Sequence, residues 1–142
     1  MFGLKTENQR HNPFSFFYSQ LSGHEDIIAV DDVYVNMLHV QDLVGCIKYA
    51  VDHSTTGTYN ISGDEVVNRY EFVWTIKAQL PESRSVITRV SSDNFVTVAA
   101  RPRNTSFDNQ KMKRVFDCKP QSLESIVSKL ISQSRCRDTI AA

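Results

Sequence analysis

Apolar positions recur along most of this chain with the periods of short helices and strands. Asn12-Pro13 has the form of an N-cap followed by proline in the first turn, where the missing N–H costs nothing. Phe14, Phe17, Tyr18 and Leu21 then follow at helical spacing, and Gly23 ends the stretch. Ile27 to Val30 reads as a strand, Asp31-Asp32 as a turn, and Val33 to Leu38 as a second extended stretch. A helix starts near His39 to Asp42. Its apolar positions Val40, Leu43, Val44, Ile47 and Val51 predict one buried face, and Ser54 to Gly57 breaks it.

Thr58 to Ser62 reads as a strand closed by Gly63-Asp64. Asn68-Arg69-Tyr70-Glu71 has capping-box form and opens a helix carrying Phe72, Val73, Ile76 and Leu80, with Pro81 beyond its end. Trp74 lies within that helix and reads as packing. Val86 to Val90 alternates as a strand does, and the stretch 91–100 has no clear period. Pro102 keeps Arg101 out of helical geometry. Asp108 can cap a short helix through Phe116, and Ser122 a last one carrying Leu123, Ile126, Val127, Leu130 and Ile131. The tail 132–142 has little pattern and is expected to fray. The order of elements predicts a mixed α/β fold with short strands under several covering helices.

A length of 142 residues suits one domain, placed at 1–131 ahead of the tail. Sixteen basic side chains balance sixteen acidic ones, so the charge predicts neither nucleic acid nor an anionic membrane as partner. No apolar run reaches the roughly 20 residues that span a bilayer. Cys46, Cys118 and Cys136 form no CxxC pair, which suits reduced thiols and a cytoplasmic location better than a disulfide or zinc framework. Without a secretory signal, the Asn-x-Ser/Thr patterns at Asn60 and Asn104 read as chance.

The chemical motifs are informative by what they lack. A dinucleotide site needs a glycine-rich strand-to-helix turn that lets backbone approach a pyrophosphate. The five glycines, at 3, 23, 45, 57 and 63, have no such spacing. No GxSxG elbow occurs, and His11, His24, His39 and His53 lack metal-ligand spacing. None of the tyrosines has a lysine four residues on, so the tyrosine–lysine acid pair of short-chain dehydrogenases is missing.

Five segments nevertheless carry a resemblance. Phe2-Gly3 resembles the end of the V-Y-G segment after the last core Rossmann strand of extended short-chain dehydrogenases. Val35 to Val44 resembles their H/Y-V-x-D-L-A segment, and Gly57-Thr58-Tyr59-Asn60-Ile61-Ser62-Gly63 the strand that rejoins the sheet. Tyr70-Glu71-Phe72 resembles the next E-F helix. Arg101-Pro102-Arg103-Asn104-Thr105-Ser106-Phe107-Asp108 resembles the R-P-x-N-T/S-x-L-D segment of dTDP-4-dehydrorhamnose reductases and of their relative, the regulatory beta subunit of methionine adenosyltransferase.

In order and at plausible spacing, these segments resemble the C-terminal, substrate-binding half of such a reductase, over roughly residues 1 to 131. The resemblance implies part of a Rossmann-like α/β fold that binds a nucleotide-linked sugar. It implies NADP or NAD for a complete family member, with the cofactor loop and catalytic residues in the half not seen here, so this chain is not expected to catalyse alone. It also implies Arg101 as the best substrate contact, near the diphosphate, because a guanidinium binds phosphate bidentately. Arg103 and Asn104 are weaker candidates, since a solvated cation and a turn-former explain them equally well. His39 reads as a capping or packing residue, Asp42 as a first-turn acid, and Phe14, Phe17 and Tyr18 as core rather than a base-stacking wall. Gly3 stays open between close approach of a cofactor and of neighbouring backbone. Two rival expectations remain: a non-catalytic interaction subunit that binds a protein partner where a Rossmann half would otherwise pack, and a truncated gene product.

Overall fold

The structure is a computed structural model that describes residues 1–4, 12–96, 99, 101–116 and 118–141. The polar stretch after Leu4 and part of the unpatterned stretch before Arg101 lie outside the described residues. The elements are α1 (Pro13–Ser22), β1 (Ile27–Val30), β2 (Tyr34–Asn36), α2 (Val40–Asp52), β3 (Val66–Asn68), α3 (Arg69–Lys77), β4 (Ile87–Val90), α4 (Gln110–Val115) and α5 (Leu123–Ala141), with a 3-10 turn over Ser92–Asn94.

Local chemistry sets several boundaries. At α1, the Asn12 side chain accepts from the Ser15 N–H at 3.1 Å, and Ser15 Oγ receives the Asn12 N–H at 3.1 Å. At α3, Asn68 Oδ1 accepts from the Glu71 N–H at 2.8 Å, and Glu71 returns the bond to the Asn68 N–H at 2.9 Å. Both pairs satisfy N–H groups that a helix start leaves without partners. The short helix α4 starts one residue past its expected cap. Asp108 Oδ1 takes the Gln110 N–H at 2.9 Å, while Asn109 occupies the cap position. The last helix runs on to Ala141, beyond the end of its apolar stripe at Ile131.

The strands form two small sheets. β1 pairs in parallel with β4, Ile27 opposite Ile87 and Val30 opposite Val90. β2 pairs antiparallel with β3, Tyr34 opposite Asn68. The main core lies between the β1–β4 pair and helices α1, α3 and α5. Leu21, Phe72, Val73 and Ile76 are completely buried there, each such side chain contributing about 1.5–3 kcal/mol. Phe2 joins this core with its ring edge-on to Phe72 at 5.5 Å. Phe14 and Phe17 are buried in it, and Tyr18 stacks on Phe14 at 5.5 Å, so this aromatic stripe is core as expected. A second cluster of Cys46, Met112 and Phe116, backed by Tyr49, Tyr59 and Ile61, joins α2 to α4.

Three expectations fail, each for a physical reason. Helix α2 does not bury its apolar face: Val40, Val44, Ile47 and Val51 are 37, 58, 53 and 72% exposed. Its buried face instead carries Asp42 and Cys46. The segment Thr58 to Ser62 is not a strand, and among the described residues no backbone–backbone hydrogen bond involves it. A strand needs a neighbouring strand, and this stretch has none within the described residues. Trp74 is 42% exposed rather than packed inside. It lies edge-on to Tyr70 at 6.3 Å, with the Lys77 ammonium 5.2 Å from its ring.

Candidate functional site

The site begins at β2, because this strand holds the arginine-bearing loop. The Tyr34 N–H donates to the Arg103 carbonyl at 2.7 Å, and the Thr105 N–H donates to the Tyr34 carbonyl at 3.0 Å. These bonds lay Arg103 to Thr105 alongside β2 as a one-residue parallel bridge between Tyr34 and Asn104. Two residues further on, the buried Asn36 secures the loop from below. Its amide donates to Ser62 Oγ at 2.8 Å, to the Gly63 carbonyl at 3.1 Å and to the Phe107 carbonyl at 2.9 Å, and its oxygen accepts the Phe107 N–H at 3.0 Å. Gly63 must be glycine here, since a Cβ would collide with the Met37 carbonyl oxygen. Asn109 adds bonds to the Ser62 and Gly63 carbonyls at 3.0 and 3.1 Å.

The structure brings the three sequence-predicted residues together on this loop and gives each a different task. Arg101 is exposed and takes part in no hydrogen bond or ion pair among the described residues. Arg103 is committed locally: its guanidinium reaches Asp32 at 3.0 Å and Asp93 at 2.8 Å, tying the loop to the β1–β2 turn and to the 3-10 turn. Asn104 Oδ1 accepts from the Ser106 N–H at 2.9 Å and from the Ser106 hydroxyl at 2.7 Å, the bonding of a turn-forming asparagine. Asp32 receives the Ser91 hydroxyl at 2.7 Å and the Ser92 N–H at 2.9 Å. The Ser91 bond above all, then the Ser92 N–H and the nearby Arg103 charge, hold its carboxyl below the usual carboxylate value.

Sequence reasoning did not find a stacked arginine on β4. Arg89, on the outward face of β4, lies 4.3 Å over the Tyr70 ring, and Tyr70 continues edge-on to Trp74. No spacing in the sequence links position 89 to position 70. Asn36 was likewise invisible, because its three partner residues lie 26 to 71 residues away.

The other candidates sit apart, at the start of α2. The Val40 N–H donates to the Phe2 carbonyl at 3.0 Å, and the Phe2 N–H to the Leu38 carbonyl at 2.9 Å. Gly3 permits this approach, because a Cβ there would lie 2.8 Å from Val40 Cγ1. His39 is buried at the N-cap, yet its side chain makes no capping bond and its Nδ1 has no hydrogen-bond partner among the described residues. Burial pushes its imidazole below the usual value, against the attraction of Asp42. Asp42 accepts from Gln121 Nε2 at 2.9 Å and so ties α2 to the approach to α5. No hydrogen bond or ion pair joins this group to the arginine loop among the described residues. A shallow polar groove of about 640 Å³ along α5, lined by Gln79, Ser122, Ser125 and Ser128 among others, shares no residue with either group.

Short strands, one parallel pair and helices packed over them, with a cation-bearing loop laid along a strand, define part of a Rossmann-like fold of the extended short-chain dehydrogenase kind. Within that class the chain belongs to the RmlD substrate binding domain family, whose profile matches residues 5–136. No curated protein sequence matches it significantly. Among solved structures, dTDP-4-dehydrorhamnose reductase from Yersinia enterocolitica matches with a TM-score of 0.77 and 21% identity, over 90% of this chain and 45% of that one. The dTDP-4-dehydrorhamnose reductase of Bacillus anthracis, solved in complex with NADP, matches at 0.76 and 23% identity, over 89% of this chain and 44% of that one. UDP-N-acetylglucosamine 4-epimerase from Bacillus cereus matches at 0.70 and 16% identity, over 89% and 44%. The chain therefore spans less than half the length of the proteins it resembles.

Proposed function

We propose that this chain is the sugar-nucleotide-binding half of an NAD(P)-dependent 4-keto-sugar reductase, and that it supplies grip and orientation rather than the hydride step. The observation that carries this reading is the family match over residues 5–136, set beside a sequence with no dinucleotide loop and no tyrosine–lysine pair. Arg101 is the contact for the diphosphate: among the described residues its guanidinium is unengaged, and two phosphate oxygens can accept its fork of N–H donors. Arg103 and Asn104 act on the substrate chiefly by holding the loop that presents Arg101.

NAD(P) would supply the hydride in a complete reductase, and its site lies in the other half of such a protein. No helix among the described residues is long and apolar enough to cross a membrane, and the three free cysteines suit the cytoplasm. Titration with dTDP by calorimetry tests the reading. We expect measurable binding that Arg101→Ala weakens by about ten- to a hundredfold, as losing a charge-assisted bond of about 1.5–3 kcal/mol requires. Equal affinity in the variant, or no binding by either protein, would remove Arg101 as the phosphate contact.

A further inference from the structure

We propose that Asp93 is a resident anion seated on Arg103 where a phosphate group would sit, and that a diphosphate displaces it and so recruits Arg103 beside Arg101. The inference rests on the proposed reading of the arginine loop as the diphosphate contact, and adds what regulates that contact. In the R-P-x-N segment that the loop resembles, position 103 is the unspecified one. The second guanidinium therefore belongs to this chain rather than to the motif.

The two carboxylates that hold Arg103 are not equivalent. Asp32 is built in: its Oδ1 accepts the Ser92 N–H at 2.9 Å, its Oδ2 accepts the Ser91 hydroxyl at 2.7 Å, and its side chain is only 20% exposed. Those bonds, that from Ser91 first, also hold its carboxyl below the usual carboxylate value. Asp32 thus stays charged and keeps Arg103 Nη1 at 3.0 Å. Asp93 has no such support. Its side chain is 75% exposed, and among the described residues its carboxylate meets only Arg103 Nη2, 3.0 Å from Oδ1 and 2.8 Å from Oδ2. Water screens an exposed pair of this kind and leaves it weak. The 3-10 turn that carries Asp93 does not depend on the pair. It is closed by the Asp93 N–H donating to Ser91 Oγ at 3.2 Å, and by the Asn94 and Phe95 N–H groups donating to the Ser91 and Ser92 carbonyls at 3.1 Å.

A guanidinium donates to carboxylate and phosphate oxygens in matching geometry, so a carboxylate can stand where a phosphate would. A diphosphate carries more charge and more acceptor oxygens than Asp93, and it can bind Arg101 at the same time. Residues 101 and 103 have Cα atoms within about 7 Å of each other, inside the reach of two long side chains. With Nη1 fixed on Asp32, Nη2 stays aimed while its anion is exchanged, so little side-chain freedom is lost on binding. Asp93 thereby sets a threshold. A lone weak anion gains too little to displace it, whereas a diphosphate spanning both arginines gains enough.

Calorimetric titration of the full chain with inorganic pyrophosphate, and in parallel with dTDP, tests the exchange. Asp93→Asn is expected to tighten pyrophosphate binding by about three- to tenfold, and Asp32→Asn to weaken it by a similar factor. These opposite signs separate the proposal from a role confined to holding the loop, which predicts a loss in both variants because each removes one arm of the clamp. In an Arg103→Ala background, Asp93→Asn is expected to change nothing. Asp31→Asn removes a neighbouring acid that makes no bond to Arg103 among the described residues, and is expected to give no comparable gain. Unchanged or weaker pyrophosphate binding by Asp93→Asn would overturn the proposal, as would a gain that persists without Arg103 or is matched by Asp31→Asn. Failure of both the parent and Asp93→Asn to bind pyrophosphate also counts against it. So does a large fall in the melting temperature of Asp93→Asn, which would show that the carboxylate holds the turn. The reading of Arg101 is judged separately. If Arg101→Ala leaves dTDP affinity unchanged while the Asp93→Asn gain appears, only the Arg101 assignment fails; if the gain is missing while Arg101→Ala weakens dTDP, only the exchange fails.

Discussion

His39 shows how one residue can be well packed and still incomplete. Its ring is buried beside Phe2, 5.9 Å between centroids, while one nitrogen finds no partner. A buried polar atom without a hydrogen bond costs about 1–3 kcal/mol, so this position weakens the chain as it stands. Because burial lowers its pKa below 6.5, the folded protein holds the ring neutral while the unfolded chain takes up a proton. The unfolded state therefore binds more protons between the folded value and 6.5, and stability falls as pH drops through that window. We expect His39→Phe to flatten this part of the profile in urea titrations at pH 5 to 8. An unchanged slope would show that His39 is not the group responsible. Asp32, also depressed, acts lower in the scale: its stabilising bonds persist above the ordinary carboxylate range and are lost as pH falls through its folded value.

At the scale of elements, the helices divide by what finishes them. Helix α3 is complete: its capping box closes both ways, and Phe72, Val73 and Ile76 are wholly buried. Replacing Asn68 with alanine removes the side-chain acceptor for the Glu71 N–H and should cost about 1 kcal/mol. Chemical denaturation reads this as a lower midpoint at constant slope, and a loss below a few tenths of a kcal/mol would mean that tertiary packing alone holds the helix start. Helix α2 is anchored on one side by Asp42, Cys46 and Tyr49, and left bare along its aliphatic row. Burial pushes the Cys46 thiol up to about 12, with Cys118 as the next cause, so this thiol stays protonated and serves as packing.

For the whole molecule, the proposed reading separates binding from chemistry. The arginine loop is tied down by Asn36, Arg103 and Asn109 without any contribution from a second half. Incubation of the chain alone with NADPH and a dTDP-4-keto sugar is expected to give no oxidation at 340 nm above the buffer rate. Measurable turnover by this polypeptide would overturn the division of labour between the two halves.

What the sequence determined by itself follows from short-range chemistry. Asn12, Asn68 and Ser122 lie within three residues of the groups they cap, and the α1, α3 and α5 stripes bury the faces their spacing predicts. The Arg101 to Asn104 loop was legible in the same way, through Pro102 and the motif around it. Tertiary structure decided the rest, because those outcomes depend on what lies alongside. Arg103 became a clamp since Asp32 and Asp93 reach it from two other turns, and Asn36 became a hub through partners 26 to 71 residues away. The row on α2 is exposed and Thr58 to Ser62 is not a strand, although their spacing predicts a buried face and a strand. Whether a helix face is covered, or an extended segment becomes a strand, depends on a neighbouring surface that no periodicity within the segment can supply.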